Sequence, residues 1–168
     1  TKRITEENPW DEFKVYFETG EAGNYTFRMW TSKHTTFTDL VLKKAVAEAV
    51  TISEDATNAP EYNYANVTLT RTLKAGIWNT ISLPFNLSAD EIQASALNGA
   101  EIKKFTSVDD NVINFEDATE IVAGDPYLIM VSGENDIDSL KFYNVIVQNI
   151  EGNEKGDGDY MFAAQIYN

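Results

Sequence analysis

Short runs of alternating apolar and polar residues, broken at roughly ten-residue intervals by Gly, Pro, Asn or Asp, constrain this chain more than any other feature. In EFKVYFETG, Phe13, Val15 and Phe17 alternate with Lys14, Tyr16 and Glu18. That is the period-2 pattern of a half-buried strand. GEAGN supplies a turn, and YTFRMWTS alternates again, with Tyr25, Phe27 and Met29 on one face and Thr26, Arg28 and Trp30 on the other. The pair reads as a β-hairpin. A Thr-rich loop then leads to DLVLKKAVAEAV, where a strand is expected from Leu40 to about Ala45. TISEDATNAPEYNY, residues 51–64, is acidic, contains a proline and has no period, so it reads as a linker or long connection.

Beyond it the strands resume. Val67, Leu69 and Arg71 alternate with Thr68, Thr70 and Thr72, and Lys74-Ala75-Gly76 makes a turn. Ile77, Asn79, Ile81, Leu83 and Phe85 then fall on one face, opposite Trp78, Thr80, Ser82 and Pro84. Pro84 lacks the N–H that a ladder needs and marks an end or an edge. Ser88-Ala89-Asp90-Glu91 has the form of a capping box, which predicts a short helix from about Ala89 to Leu97, stopped by Asn98-Gly99. AEIKKFTS, VINFE, AGDPYLIMV, DSLKFYNVIVQNI and GDYMFAAQIYN complete the β pattern. The expected fold is all-β: an antiparallel, jelly-roll-like β-sandwich in two β modules with one short helix near 89–97. Residues 1–50 form a partial sandwich, 51–64 the connection and 65–168 a second module. The second module looks incomplete at its C-terminus, because MFAAQIYN reads as a strand beginning.

Composition narrows the function classes. Acidic residues number 27 against 13 basic ones, a net charge of −14, which disfavours nucleic acid and anionic membrane surfaces. Neutral glycans, calcium and cationic partners fit that charge. With no cysteine there is no disulfide framework, Cys-ligated zinc or Cys nucleophile. No apolar run approaches the roughly 20 residues of a membrane-spanning helix, so no membrane insertion is expected. Three Asn-x-Ser/Thr sequons, at Asn24, Asn66 and Asn86, are close to chance in so Asn- and Thr-rich a chain.

RTLKAGIWNTISLPFNLSADEI, followed at a distance by AGDPYLIMV, resembles a module of secreted and surface proteins of Bacteroidetes. In that module a Trp-Asn-Thr…Leu-Pro-Phe strand, a short helix and an Ala-Gly-x-Pro-Tyr-Leu-Ile strand recur together. The resemblance covers roughly residues 65–168. The upstream YFETGEAGNYTFRMWTSKHTTFTDLVLK is similar to the tail of jelly-roll, carbohydrate-binding-like sandwiches. The resemblance implies an exported location, extracellular or at the cell surface, and a role in adhesion or glycan binding. It lends no catalytic residues.

Trp30 is the favoured platform for a sugar ring, with Arg28 beside it to reach ring hydroxyls and Tyr16 on the neighbouring strand. Trp10, after Asn8-Pro9, is a rim candidate. Burial under a second sheet would occupy Trp30 equally well. Trp78 is expected instead to wedge under the helix that follows it. The acidic groups Asp109-Asp110-Asn111, Glu134-Asn135-Asp136 with Asp138, and Asp157-Gly158-Asp159 offer oxygens to calcium, but none has the twelve-residue calcium-loop pattern. Solvated turns explain them more simply. Asp157 and Asp159 are kept as weak calcium ligands, and no other cofactor is expected. Asp138-Ser139-Leu140 matches a short acceptor motif for O-glycosylation in Bacteroidetes, or an ordinary turn. His34 is the sole histidine and no hydrolase motif is present, so an enzyme is not expected. The leading reading is a non-catalytic adhesion module whose partner is a glycan or a surface protein. The alternatives are a spacer or fimbrial-type assembly unit that self-associates through strand edges and, least favoured, a small glycoside-processing enzyme with facing carboxylates.

Overall fold

A computed structural model describes Thr26 and residues 41–53, 61–157 and 159–164. The chain divides into two compact units, Thr1–Ala45 and Val46–Asn168. Residues 41–45 of the first unit carry no strand, and Val41 and Leu42 are exposed. The strand expected at Leu40–Ala45 begins later, at Glu48, because only there does alternation set Val50 and Ile52 opposite Val67 and Leu69. The jelly-roll reading of residues 1–50 falls almost wholly outside the described residues.

The second unit is all-β with one helix. Its elements are β1 (Glu48–Ser53), β2 (Tyr62–Leu73), β3 (Asn79–Ile81), α1 (Ala89–Gln93), β4 (Glu101–Asp109), β5 (Val112–Asp117), β6 (Tyr127–Met130), β7 (Ile137–Val147), β8 (Glu154–Asp157) and β9 (Tyr160–Ala163). Strand residues therefore occupy both ends of the 51–64 stretch read as a connection, and 54–60 lie outside the described residues. The strands form three sheets, ordered β1-β2-β7, β3-β6-β4-β5 and β8-β9. All the pairs are antiparallel except β1 with β2, a departure from the antiparallel expectation. A parallel partner is found across a crossover, not a tight turn, so no local turn signal announces it.

The buried faces of the two larger sheets meet in one core. Val67, Leu69 and Leu73 of β2 and Leu140, Phe142 and Val145 of β7 come from one side, and Ile81, Ile102, Tyr127 and Ile129 from the other. Along β7 the buried phase slips between Phe142 and Val145, where Asn144 adopts a positive φ of 58°. There Tyr143 and Asn144 of β7 face the single residue Asn66 of β2, since Val67 pairs with Phe142 and Ala65 with Val145. Such a bulge re-aims one strand without breaking its apolar face. The side chain of Asn66, a sequon asparagine, accepts the Asn144 N–H at 3.1 Å.

After β3 the chain leaves the sheet through Leu83, Pro84, Phe85 and Leu87, all buried. Phe85 packs on Phe142 with ring centroids 5.0 Å apart and ties the corner to the opposite sheet. The capping box forms: Glu91 N–H donates to Ser88 Oγ at 3.4 Å and Ser88 N–H to Glu91 Oε2 at 2.7 Å. The helix is shorter than its expected reach to Leu97. Ser95 Oγ donates to the Ile92 carbonyl at 2.8 Å and accepts from Leu97 N–H at 3.1 Å, a local alternative to the helical ladder. Gly99, at φ +78°, closes the turns that follow.

Candidate functional site

The turn between β2 and β3 spends its polar groups on itself and turns apolar side chains outward. Gly76 takes φ +69°, a left-handed conformation that costs a residue with a Cβ far more. Asn79 holds the turn from inside. Its Oδ1 accepts Lys74 N–H at 2.9 Å, and its Nδ2 donates to the Lys74 and Ile77 carbonyls, each at 3.0 Å. Asp136 holds it from the neighbouring loop, accepting Ala75 N–H at 2.9 Å and the Lys74 ammonium at 2.7 Å. A bridge pairs Ala75 with Val131. What these bonds present to solvent is Ile77, 56% exposed, and Trp78, 43% exposed.

Trp78 is therefore not the wedge expected from the sequence. Phe85 takes that place, 1% exposed. Of the face expected to run from Ile77 to Phe85, Ile81, Leu83 and Phe85 are buried, whereas Ile77 and Trp78 belong to the turn and not to the strand. A sequence signal for this existed. Gly76 and Asn79 bracket the pair as turn residues do, and turn tips are where recognition residues concentrate. Two residues beyond Trp78, Thr80 is exposed and its Oγ1 accepts from Arg71 Nη2 at 3.4 Å. Trp78 thus lies two residues along the chain from the Arg71–Thr80 contact, at the turn that joins β2 to β3. The Lys74 charge is already matched by Asp136, and that contact holds the Asp136 carboxyl below its ordinary value of 3.8, with the Ala75 N–H adding to the effect.

The first contact set read from the sequence, Trp30, Arg28, Tyr16 and Trp10, lies outside the described residues, as does His34. The acidic groups that are described lie in turns or accept hydrogen bonds from neighbouring side chains. Asp110 and Asn111, at φ 49° and 63°, form the two-residue turn between β4 and β5. Paired left-handed residues are what a type I′ hairpin requires. Asp109 Oδ2 accepts from Ser107 Oγ and Asn114 Nδ2, each at 2.8 Å. Asp138 accepts from Thr72 Oγ1, and Ser139 of the acceptor-like triplet sits at φ 59° within β7. Asp157 ends β8 and Asp159 lies in the exposed turn after it. Among the described residues no three His, Cys, Asp or Glu side chains gather as a metal site. Asn86, a further sequon asparagine, accepts Ala123 N–H at 2.8 Å.

Between α1 and β7 there is a cavity of about 100 Å³, lined by Leu87, Glu91, Ser95, Phe142, Tyr143 and Asn144. Ligand clefts commonly enclose roughly 300–1,000 Å³, so this one suits waters better than a sugar ring. No helix among the described residues is long and apolar enough to cross a membrane. Scans against protein-family models, curated proteins and solved structures return no match to this chain.

Proposed function

We propose that the chain is a non-catalytic binding module, exported to the cell surface or the medium, whose ligand is a neutral glycan. One observation carries the reading: Trp78 is exposed on a turn held by five hydrogen bonds to Asn79 and Asp136. Holding an aromatic face out of the core has no benefit for folding, whereas it prepays the ordering a ligand would otherwise require. The apolar C–H face of a pyranose stacks on the indole, while the Arg71–Thr80 pair supplies donors and an acceptor for ring hydroxyls. A net charge of −14 repels acidic sugars and leaves neutral ones unopposed. The resemblance of RTLKAGIWNTISLPFNLSADEI to surface modules of Bacteroidetes supports the same location and role.

A single platform on a convex turn predicts weak affinity, with Kd on the order of 1 mM, so that useful binding comes from several modules on one surface. The test is a neutral-glycan panel titrated against the full chain, Trp78→Ala and Trp30→Ala, each variant checked for folding by circular dichroism. Loss of binding in Trp78→Ala alone is the expected result. Loss in Trp30→Ala alone would move the site to the first unit, with Arg28, Tyr16 and Trp10 as its partners. Silence of the parent chain across the panel would end the glycan reading.

A further inference from the structure

We infer that the outer edge of β5 is a docking site for an extended, cationic strand of another protein, which would add to the sheet as its fifth member. β5 ends the β3-β6-β4-β5 sheet, and among the described residues its sheet partner is β4 alone. Because Asp110-Asn111 is a two-residue turn, the flanking pair Asp109–Val112 is the hydrogen-bonded kind. Alternation then points the backbone groups of Val112, Asn114 and Glu116 inward, and those of Ile113, Phe115 and Asp117 outward. The bond from Ala118 N–H to the Ile102 carbonyl, 2.9 Å, continues the inward set with the correct parity. The outward groups are a template for strand addition.

Two of the other sheet edges, β3 and β7, are blunted. β3 is three residues long and runs into buried Pro84. β7 is interrupted by left-handed residues at Ser139 and Asn144 and carries Lys141. β5 has none of these protections: it holds no proline, lysine or left-handed residue, and the bulge in its hairpin lies on β4, where three residues, Phe105 to Ser107, face Phe115 and Asn114. It also exposes Val112 and Ile113, by 59% and 46%. β9 backs the edge on one face. Phe162 meets Phe115 edge-on at 5.6 Å, and Tyr160 Oη donates to Asn111 Oδ1 at 3.1 Å.

The charge around this edge selects the occupant. Asp109 and Asp110 lie at the hairpin end, and Glu116 and Asp117 at the other. Lys104 and Lys103 pair with Glu116 and Asp117 at 3.0 and 2.6 Å, so among the described residues the acidic charge left without an ion pair is at the hairpin end. A second copy of this chain would bring the same acidic edge and a net charge of −14 against it. A strand with apolar residues at alternate positions and lysine or arginine between and beyond them meets both the apolar and the acidic demands.

The test titrates the full chain with a capped peptide, Lys-Val-Thr-Val-Lys-Val-Thr-Val-Lys, and reads backbone amide shifts and hydrogen exchange. Its controls are the same peptide with Glu for Lys and one with a central proline. The expected result is saturable perturbation of Ile113, Phe115 and Asp117, with slowed exchange of those amides, weakening at higher ionic strength and absent with both controls. Ile113→Lys, which keeps the backbone and adds a blocking charge, should weaken binding at least about tenfold. Ile113→Pro, which removes an outward N–H, should do the same provided its melting curve stays cooperative. Perturbation centred on other strands, equal binding of the acidic peptide, or no saturable shift would overturn the proposal. So would concentration-dependent shifts at 112–117 without peptide, which would make a second copy the occupant.

Discussion

The two ends of KAGIWNTISLPFNLS, residues 74–88, have the same texture in sequence and opposite fates in the fold. At the C-terminal end Phe85 is sealed in the core against Phe142. At the N-terminal end Ile77 and Trp78 stand in solvent on a turn closed by Asn79 and Asp136. Residue hydrophobicity does not separate them. What separates them is which groups lie near: Asn79 and Asp136 hold the backbone of the first end, whereas the second end is covered by Phe142 of β7. An exposed large apolar residue held by a dedicated hydrogen-bond network is more informative than a buried one, since burial needs no further explanation.

The largest expected effect tests that contrast directly. Phe85→Ala should destabilise the fold by about 3–5 kcal/mol, the range for emptying a buried aromatic site. Trp78→Ala should shift stability by no more than about 1 kcal/mol, as surface substitutions do. Chemical denaturation of both variants, compared at equal slope, gives the two numbers side by side. Comparable losses would mean that Trp78 bears on the core and would remove the ground for calling it a presented residue.

Much of the fold could be read from the chain, and the places where reading failed share a cause. Alternation located β2, β4, β6 and β7 because each has buried residues on the core, and the Ser88–Glu91 capping box located the helix start because its partners are three residues apart. The Asp110-Asn111 turn was legible for the same local reason. β1 was misplaced because its parallel partner lies across a connection, so that Val50 and Ile52 gain their meaning only from Val67 and Leu69. The helix ends before Leu97 because the Ser95 hydroxyl bonds the Ile92 carbonyl, which composition does not reveal. A period-2 pattern shows which residues share a face and not whether anything covers it, so it does not distinguish an exposed Trp78 from a buried one. The Arg71–Thr80 contact spans a turn whose geometry depends on Asn79, so it too was out of reach.

A smaller effect sharpens the comparison at the turn itself. Gly76 has open space where a Cβ would sit, so its φ of +69° is the whole obstacle to substitution. Gly76→Ala should cost about 1–2 kcal/mol through left-handed strain alone. Gly76→Asn should recover part of that, because Asn tolerates the conformation better. The discriminating readout is the glycan titration. In Gly76→Ala the loss of affinity should exceed that expected from unfolded protein, because the turn that presents Trp78 is displaced while the Phe85 corner stays closed. If both ends respond alike in hydrogen exchange, the turn and corner form one cooperative unit and the contrast between them fails.

The smallest effect is the pH response of the clamp. The hydrogen bond from Lys74, then that from Ala75 N–H, lowers the Asp136 pKa from 3.8, so its contribution is present above that value and lost as pH falls through the lowered one. Lys74 is raised above 10.5, first by its hydrogen bond to Asp136 and then by the charge of that group, so its share is present below 10.5 and lost as pH rises through the raised value. Between those limits the turn should hold a constant conformation, and amide exchange at Ala75 should stay slow once corrected for its intrinsic pH dependence. Both partners are well exposed, so salt should shrink the effect. Asp136→Asn separates the two roles of the carboxylate. The amide oxygen can still accept Ala75 N–H, while the attraction to Lys74 is gone. Retained protection with a lost acid response would assign the clamp to the backbone bond. Protection lost at neutral pH would assign it to the ion pair, and the same experiment on Phe85 corner amides should show neither change.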